Sequence, residues 1–281
     1  MPKIIATDLD GTLFYPKHTV RMISPKSLKF LRSFIDEGNK VVLVSGRNIE
    51  YCKKVVKKIK RNVDIIGCNS SYIIGDGKLI KETYFNPDRI STIVKEIETD
   101  FKTMATLFMA EKSNYISKKS FKSFFYTIGY KFWYFMQGVY REKFFVDDEK
   151  FYDALKSGRI YKIMLMFGVG KKGKEAAKIA NKVIREKYAD DIEASWSNEM
   201  IEITPKDCSK AQGLQYYADY YKINHDDIYV VGDSGNDISM FEEFKEHSFC
   251  MSHSALSVSK HAKHTIKRFW EIEQYLKKGS N

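Results

Sequence analysis

Short apolar runs alternate with amphipathic segments through the first eighty residues. Residues 3–7 form an apolar run that stops at Asp8, and 41–44 and 63–68 form two more. Runs of this length with no polar face predict strands buried on both sides. Between them, Ser24-Pro25 marks a helix start, with Ser as N-cap and Pro in the first turn. Leu28, Leu31, Phe34 and Ile35 follow at helical spacing, and Gly38 ends the segment. Residues 49–59 read as a basic helix. Strands alternating with helices predict a parallel sheet covered on both faces.

At Tyr72 the pattern changes. Tyr72-Ile73-Ile74, Gly75-Asp76-Gly77 and Leu79-Ile80 read as a hairpin, and Pro87 opens a long middle region. A helix near 89–100 is expected there, then an aromatic and basic stretch over 101–145. A strand at 161–167, a helix at 174–188 and strands near 192–196 and 200–203 follow. After Pro205 the first pattern returns, with a helix at 209–221, a strand at 228–231, a helix at 238–244, a strand at 249–251 and a charged terminal helix. The expected fold class is α/β: a Rossmann-like parallel-sheet core of residues 1–80 and 199–281, interrupted by an inserted α+β domain of residues 81–198.

Composition narrows the class. The chain has 281 residues, 43% apolar and 14% aromatic, which is enough to build cores and argues against wholesale disorder. No run of eighteen apolar residues suggests a transmembrane helix. The N-terminal residues run straight into a strand-like segment and lack the features of a signal peptide. Cys52, Cys68, Cys208 and Cys250 form no CxxC pair, so they read as reduced thiols of a cytoplasmic protein, not as disulfides or a zinc site. The formal charge of +11 fits a lysine-rich solvated surface first and attraction of a phosphorylated substrate second. Nucleic acid ranks last, because no recognised binding motif accompanies the charge.

Four clusters carry candidate chemistry, each at a strand end or helix start, where ligands bind in open α/β sheets. Asp8-Leu9-Asp10-Gly11-Thr12 places one carboxylate to attack phosphorus and a second, two residues on, to hold and return a proton. Gly11 lets the backbone turn and approach a phosphate. By itself this segment also suits an ordinary Asp-Gly turn. Ser45-Gly46-Arg47 offers a hydroxyl and backbone N–H groups to phosphate oxygens, although alone it reads as a helix cap. Lys210 could balance charge on Asp8 and the phosphoryl group. Gly232-Asp233-Ser234-Gly235-Asn236-Asp237 offers oxygen ligands to Mg²⁺.

In this order the four clusters resemble the haloacid dehalogenase superfamily, and their spacing resembles its Cof-type (subclass IIB) sugar-phosphatase branch. The resemblance implies a phosphoric monoester hydrolase with Asp8 as nucleophile and Asp10 as general acid and base. It implies Mg²⁺ held by Asp8, the Asp10 carbonyl and Asp233, with Asp237 supporting the metal site. Gly11, Thr12, Ser45, Gly46, Lys210 and Asn236 are the expected phosphate-binding residues. The stretch between Asp8 and Ser45 is too short to hold a domain, whereas that between Ser45 and Lys210 is long enough. By the resemblance, the insert is a cap that chooses a small phosphorylated metabolite, with a sugar phosphate as the default. The chain departs from the family's Asn-Gly-Ala, Lys-Gly and Met-Gly-Asn-Ala at Asn69-Ser70-Ser71, Lys210-Ala211 and Met251-Ser252-His253-Ser254.

Other readings compete. A phosphomutase or phosphotransferase could use the same scaffold, and a non-catalytic phosphate binder would not need Asp8. Gly168-Val169-Gly170-Lys171-Lys172-Gly173-Lys174 matches most of a P-loop, but Glu175 stands where Ser or Thr is required, so a lysine-rich loop entering a helix explains it better. Over 121–145, twelve aromatic side chains, Phe124, Phe125, Tyr126, Tyr130, Phe132, Trp133, Tyr134, Phe135 and Tyr140 among them, interleave with cations. That composition suits a domain core and a wall facing the substrate, including one with a flat ring such as a nucleotide, flavin or pyridoxal phosphate.

Overall fold

The computed structural model describes residues 2–16, 23–110, 113–117, 128–129, 144–146, 148–197 and 199–276. They divide into two compact units, 1–82 with 209–281, and 83–208.

The first unit begins with β1 (Ile4–Thr7), α1 (Pro25–Asp36), β2 (Lys40–Val44), α2 (Ile49–Ile59) and β3 (Asp64–Gly67), followed by the hairpin β4 (Tyr72–Gly75) and β5 (Lys78–Glu82). Ser24 caps α1, its hydroxyl accepting the Ser27 N–H at 3.1 Å. Asp76 and Gly77 both take positive φ in the hairpin turn, the twist that matches two antiparallel strands.

The second unit carries α3 (Pro87–Phe101), β6 (Ala105–Ala110), β7 (Asn114–Ile116), β8 (Phe144–Val146), α4 (Asp148–Ser157), β9 (Ile160–Met166), α5 (Gly170–Lys187), β10 (Ile192–Ser197) and β11 (Met200–Pro205). Its six strands form one sheet in the order β10-β11-β9-β6-β7-β8, antiparallel except for β7 with β8. One face of that sheet, with Phe108, Ile163, Leu165, Ile201 and Ile203, packs on Ile93 and Ile97 of α3, Phe151 and Leu155 of α4, and Ala180 and Ile184 of α5. Alternation puts Lys162 and Glu202 on the other face, where they form a buried ion pair at 2.8 Å. The unit runs to Cys208, so residues 199–208 belong with the insert, not with the core as expected. The physical reason is β11, which is hydrogen-bonded on both sides within this sheet. The P-loop-like segment enters α5, on which Glu175 is exposed. Of the aromatic stretch 121–145, all but residues 128–129 and 144–145 lie outside the described residues.

The chain then returns to the first unit through α6 (Lys210–Tyr221), β12 (Ile228–Gly232), α7 (Ile238–Glu243), β13 (Ser248–Met251) and β14 (His264–Ile266). The eight-stranded sheet has the order β14-β13-β12-β1-β2-β3-β4-β5, parallel from β14 to β3 and antiparallel in the hairpin. Its central strands are buried throughout, as their unbroken apolar runs require. Among the described residues no helix is long and apolar enough to cross a membrane. The four cysteines are buried and unbridged, and burial pushes the Cys52 thiol up to about 12.

A buried polar contact ties α6 to this sheet. Asp64, at the start of β3, accepts the Tyr217 hydroxyl of α6 and the Asp76 N–H at 2.8 Å. Burial and the neighbouring Asp64 carboxylate push the Tyr217 phenol far up, so it remains a donor. Tyr217→Phe removes a hydrogen bond to a charged group and should cost about 1.5–3 kcal/mol, read as a lower urea midpoint at unchanged m-value.

Candidate active site

Adjacent parallel strands β12, β1 and β2 end at Gly232, Thr7 and Val44, and the next residues on each are Asp233, Asp8 and Ser45. Asp8 continues the β1 ladder for one bond, its N–H reaching the Val231 carbonyl at 2.9 Å. The chain then turns sharply through Leu9–Leu13. Gly11 takes φ +86°, and a Cβ there would lie 2.3 Å from Oδ2 of Asp233. Only glycine lets this backbone pass so close to that carboxylate.

Lys210 opens α6 directly after its N-cap, Ser209, which forms a reciprocal capping box with Gln212. Its side chain is wholly buried, with Nζ 2.7 Å from Oδ1 of Asp8 and 2.6 Å from Oδ1 of Asp237. Burial alone would push the ammonium down, but the Asp237 and Asp8 charges outweigh it and hold Lys210 well above its ordinary value. Asp237 organises the loop from within. Its Oδ2 accepts the N–H groups of Asp233 and Ser234, each at 2.9 Å.

Asp8, Asp233 and Asp237 each offer a carboxylate oxygen within 4.8 Å of the others. Burial first, then neighbouring carboxylates, raise Asp8 well above the usual range against the opposing pull of Lys210. Burial first also raises Asp233, and Asp237 adds to the effect, while His253, Thr12 and Lys210 oppose it. Three carboxylates facing one ammonium leave the cluster short of positive charge. Its hard oxygen donors fit a divalent cation.

Several expected phosphate ligands have protein partners here. The Thr12 hydroxyl donates to Oδ1 of Asp233 at 2.9 Å, so it orients that carboxylate. Asn236 Oδ1 accepts the Ser234 hydroxyl at 2.8 Å. Ser45 is buried, and its Oγ accepts the Arg47 N–H at 3.2 Å. Gly46 follows Ser45 in the same loop. The Asp10 side chain stands apart from the three clustered carboxylates and is paired bidentately with Arg47, Nε at 2.7 Å and Nη2 at 2.9 Å.

Arg47, last residue of the Ser45-Gly46-Arg47 motif, is not among the expected site residues. A cation directly after Ser-Gly at a strand end was the available signal. His253, in one of the segments that depart from the family's pattern, has its Nε2 3.6 Å from Oδ2 of Asp233, and its ring stacks on Tyr15 at 4.0 Å.

The raised carboxyls make a pH prediction for the cation-free protein. Asp8 and Asp233 bind protons more tightly folded than unfolded. Their stabilising contribution is therefore present in acid and is lost as pH rises from the ordinary carboxylate range through their raised values. Thermal melts in EDTA should show the wild type losing ground against Asp233→Asn as pH rises. A gap that is constant or moves the other way would refute the raised values.

The sequence profile of the haloacid dehalogenase-like hydrolases matches residues 5–269. The MG125 protein of Mycoplasma genitalium, provisionally named a phosphatase, is 29% identical across 90% of this chain and 87% of that protein. YwtE of Bacillus subtilis, a 5-amino-6-(5-phospho-D-ribitylamino)uracil phosphatase, is 26% identical across 85% of this chain and 84% of its own length. The structure of BT4131, described as a subclass IIB sugar phosphatase, superposes with TM-score 0.73 over 99% of this chain and 98% of that one. At 16% identity the likeness is one of fold. With the match covering nearly its whole length, the chain belongs to the haloacid dehalogenase-like hydrolase family and is an enzyme of that family.

Proposed function

We propose that this phosphoric monoester hydrolase is Mg²⁺-dependent and transfers the phosphoryl group of a small phosphomonoester to Asp8 and then to water. The observation that carries the reading is Lys210, buried between Asp8 and Asp237 beside Asp233. A buried carboxylate at a strand end, held by a fixed cation and next to further hard oxygen ligands, is suited to in-line attack on phosphorus.

In the first step an Asp8 oxygen bonds to phosphorus as the bond to the leaving oxygen breaks, and Asp10 gives that oxygen its proton. In the second, water attacks the phosphorus of the aspartyl phosphate while Asp10 takes a proton from it. The bond to Asp8 breaks and both carboxyl groups return to their starting states. Lys210 balances charge on Asp8 throughout. Asp8, the Asp10 carbonyl and Asp233 would hold Mg²⁺, with Asp237 supporting them through the loop it orders. When bound, the ion supplies charge neutralisation for the phosphoryl oxygens. Ser45, with the Gly46 and Gly11 backbone, would face those oxygens.

Every group named in the reaction comes from the first unit, which leaves the insert to choose the substrate. A sugar phosphate is the default, by likeness to the subclass. The ring-bearing substrate of YwtE makes a flat-ring phosphate worth equal weight in a screen.

Phosphate release should be measured from hexose and pentose phosphates, nucleotides, flavin mononucleotide and pyridoxal phosphate. EDTA and Asp8→Asn should each abolish it. Asp10→Asn should lower it by about 10²–10⁴-fold, the usual worth of general acid–base catalysis. Activity surviving Asp8→Asn would sink the mechanism, and isomerised sugar phosphate without free phosphate would identify a mutase.

A further inference from the structure

Asp10 has to present its carboxyl to the leaving oxygen in a defined direction, yet its side chain is 36% exposed and projects from a tight turn. Exposed ion pairs usually contribute little because two long side chains must be immobilised to make them. This pair differs on the arginine side. Arg47 is 8% exposed, and its guanidinium carbon lies 4.8 Å from the centre of the buried Tyr51 ring. Two parallel N–H···O bonds to Asp10 then fix both position and plane. Each carboxylate oxygen has two acceptor positions, so the second on each remains for a proton.

The backbone beneath Arg47 is equally constrained. Its carbonyl accepts the Cys68 N–H at 3.0 Å and the Tyr72 hydroxyl at 3.1 Å. The Asn69 N–H reaches the Ser45 carbonyl at 3.1 Å. These two N–H donors belong to a turn in which Cys68, Asn69 and Ser70 take φ of 47°, 55° and 88°. Three successive non-glycine residues in the left-handed region persist only where the surroundings over-determine them, and such strain gathers at functional sites. A buried cation needing only a counter-charge would require none of this anchoring.

We propose that Arg47 is a positioning residue that sets the orientation of Asp10 for proton transfer to the leaving group, with the turn at 68–70 as its rigid anchor. The inference rests on the reaction assigned above, and the test separates the two. The readout is kcat/KM, which covers the steps up to departure of the leaving group, for 4-nitrophenyl phosphate and glycerol phosphate. Nitrophenolate departs with little need of a proton, whereas an alkoxide requires one. Loss of both activities in Asp8→Asn supports the underlying reaction, and survival of either refutes it independently of Arg47.

Arg47→Gln should lower kcat/KM for glycerol phosphate about ten- to a hundredfold more than for the aryl ester, the scale of a misplaced catalytic group. Arg47→Lys, which keeps the charge but not the bidentate plane, should recover part of that difference. The double variant with Asp10→Asn should be no slower on glycerol phosphate than Asp10→Asn alone. Equal proportional losses on both esters, or additive losses in the double variant, would show that Arg47 is structural and overturn the proposal. If Arg47→Gln does not fold, Arg47→Lys carries the same comparison of esters.

Discussion

The contact on which the site depends is the Lys210 ammonium, held between the carboxylates of Asp8 and Asp237. Burying a charge is costly, and removing one partner of a buried pair leaves the other uncompensated, at about 3–5 kcal/mol. Here one cation serves two carboxylates, one at the end of β1 and one in the loop after β12, while a third, Asp233, offers an oxygen within 4.8 Å of theirs. The arrangement holds because the fold fixes all the partners. Asp8 and Asp233 leave adjacent parallel strands, Asp237 is pinned by two loop N–H groups, and a capping box sets the first turn that presents Lys210. The remaining deficit of positive charge suits the same cluster to a divalent cation.

The centre of the sheet was legible because its strands there are apolar runs that end at charged or small residues. Residues 3–7, 41–44 and 228–231 could only be strands covered on both faces, and the motif at each end followed from where the apolar run stopped. What a pattern of residue types cannot carry is the partner of each side chain. Thr12 and Asn236 are expected phosphate ligands by resemblance, and no residue pattern shows that the Thr12 hydroxyl also meets Asp233 and the Asn236 Oδ1 meets Ser234. The Asp10–Arg47 pair joins two loops on neighbouring strands, and only the strand order brings them together. The end of the insert was misplaced for a related reason. Residues 200–203 read as a strand in either unit, and only pairing with β9 and β10 assigns them to the second.

The departures from the family's pattern gain a physical meaning in the structure. Where the family resemblance implies Asn-Gly-Ala, this chain has Asn69-Ser70-Ser71, and Ser70 takes φ of 88°, a conformation that glycine adopts without strain. Its side chain is accommodated from the opposite side: a Cβ on Gly213 of α6 would stand 2.2 Å from the Ser70 Cβ. A glycine on the helix makes room for a serine in the loop. The turn at 68–70 and the helix that presents Lys210 are therefore packed closely, the Ser70 side chain lying against the helix at Gly213. Ser70 touches the helix that carries the site's cation, and its neighbours Cys68 and Asn69 hold the carbonyls of Arg47 and Ser45. The two halves of the proposed chemistry, charge balance at Asp8 and orientation of Asp10, thus share one rigid contact behind the site. A change in the loop would be felt in both.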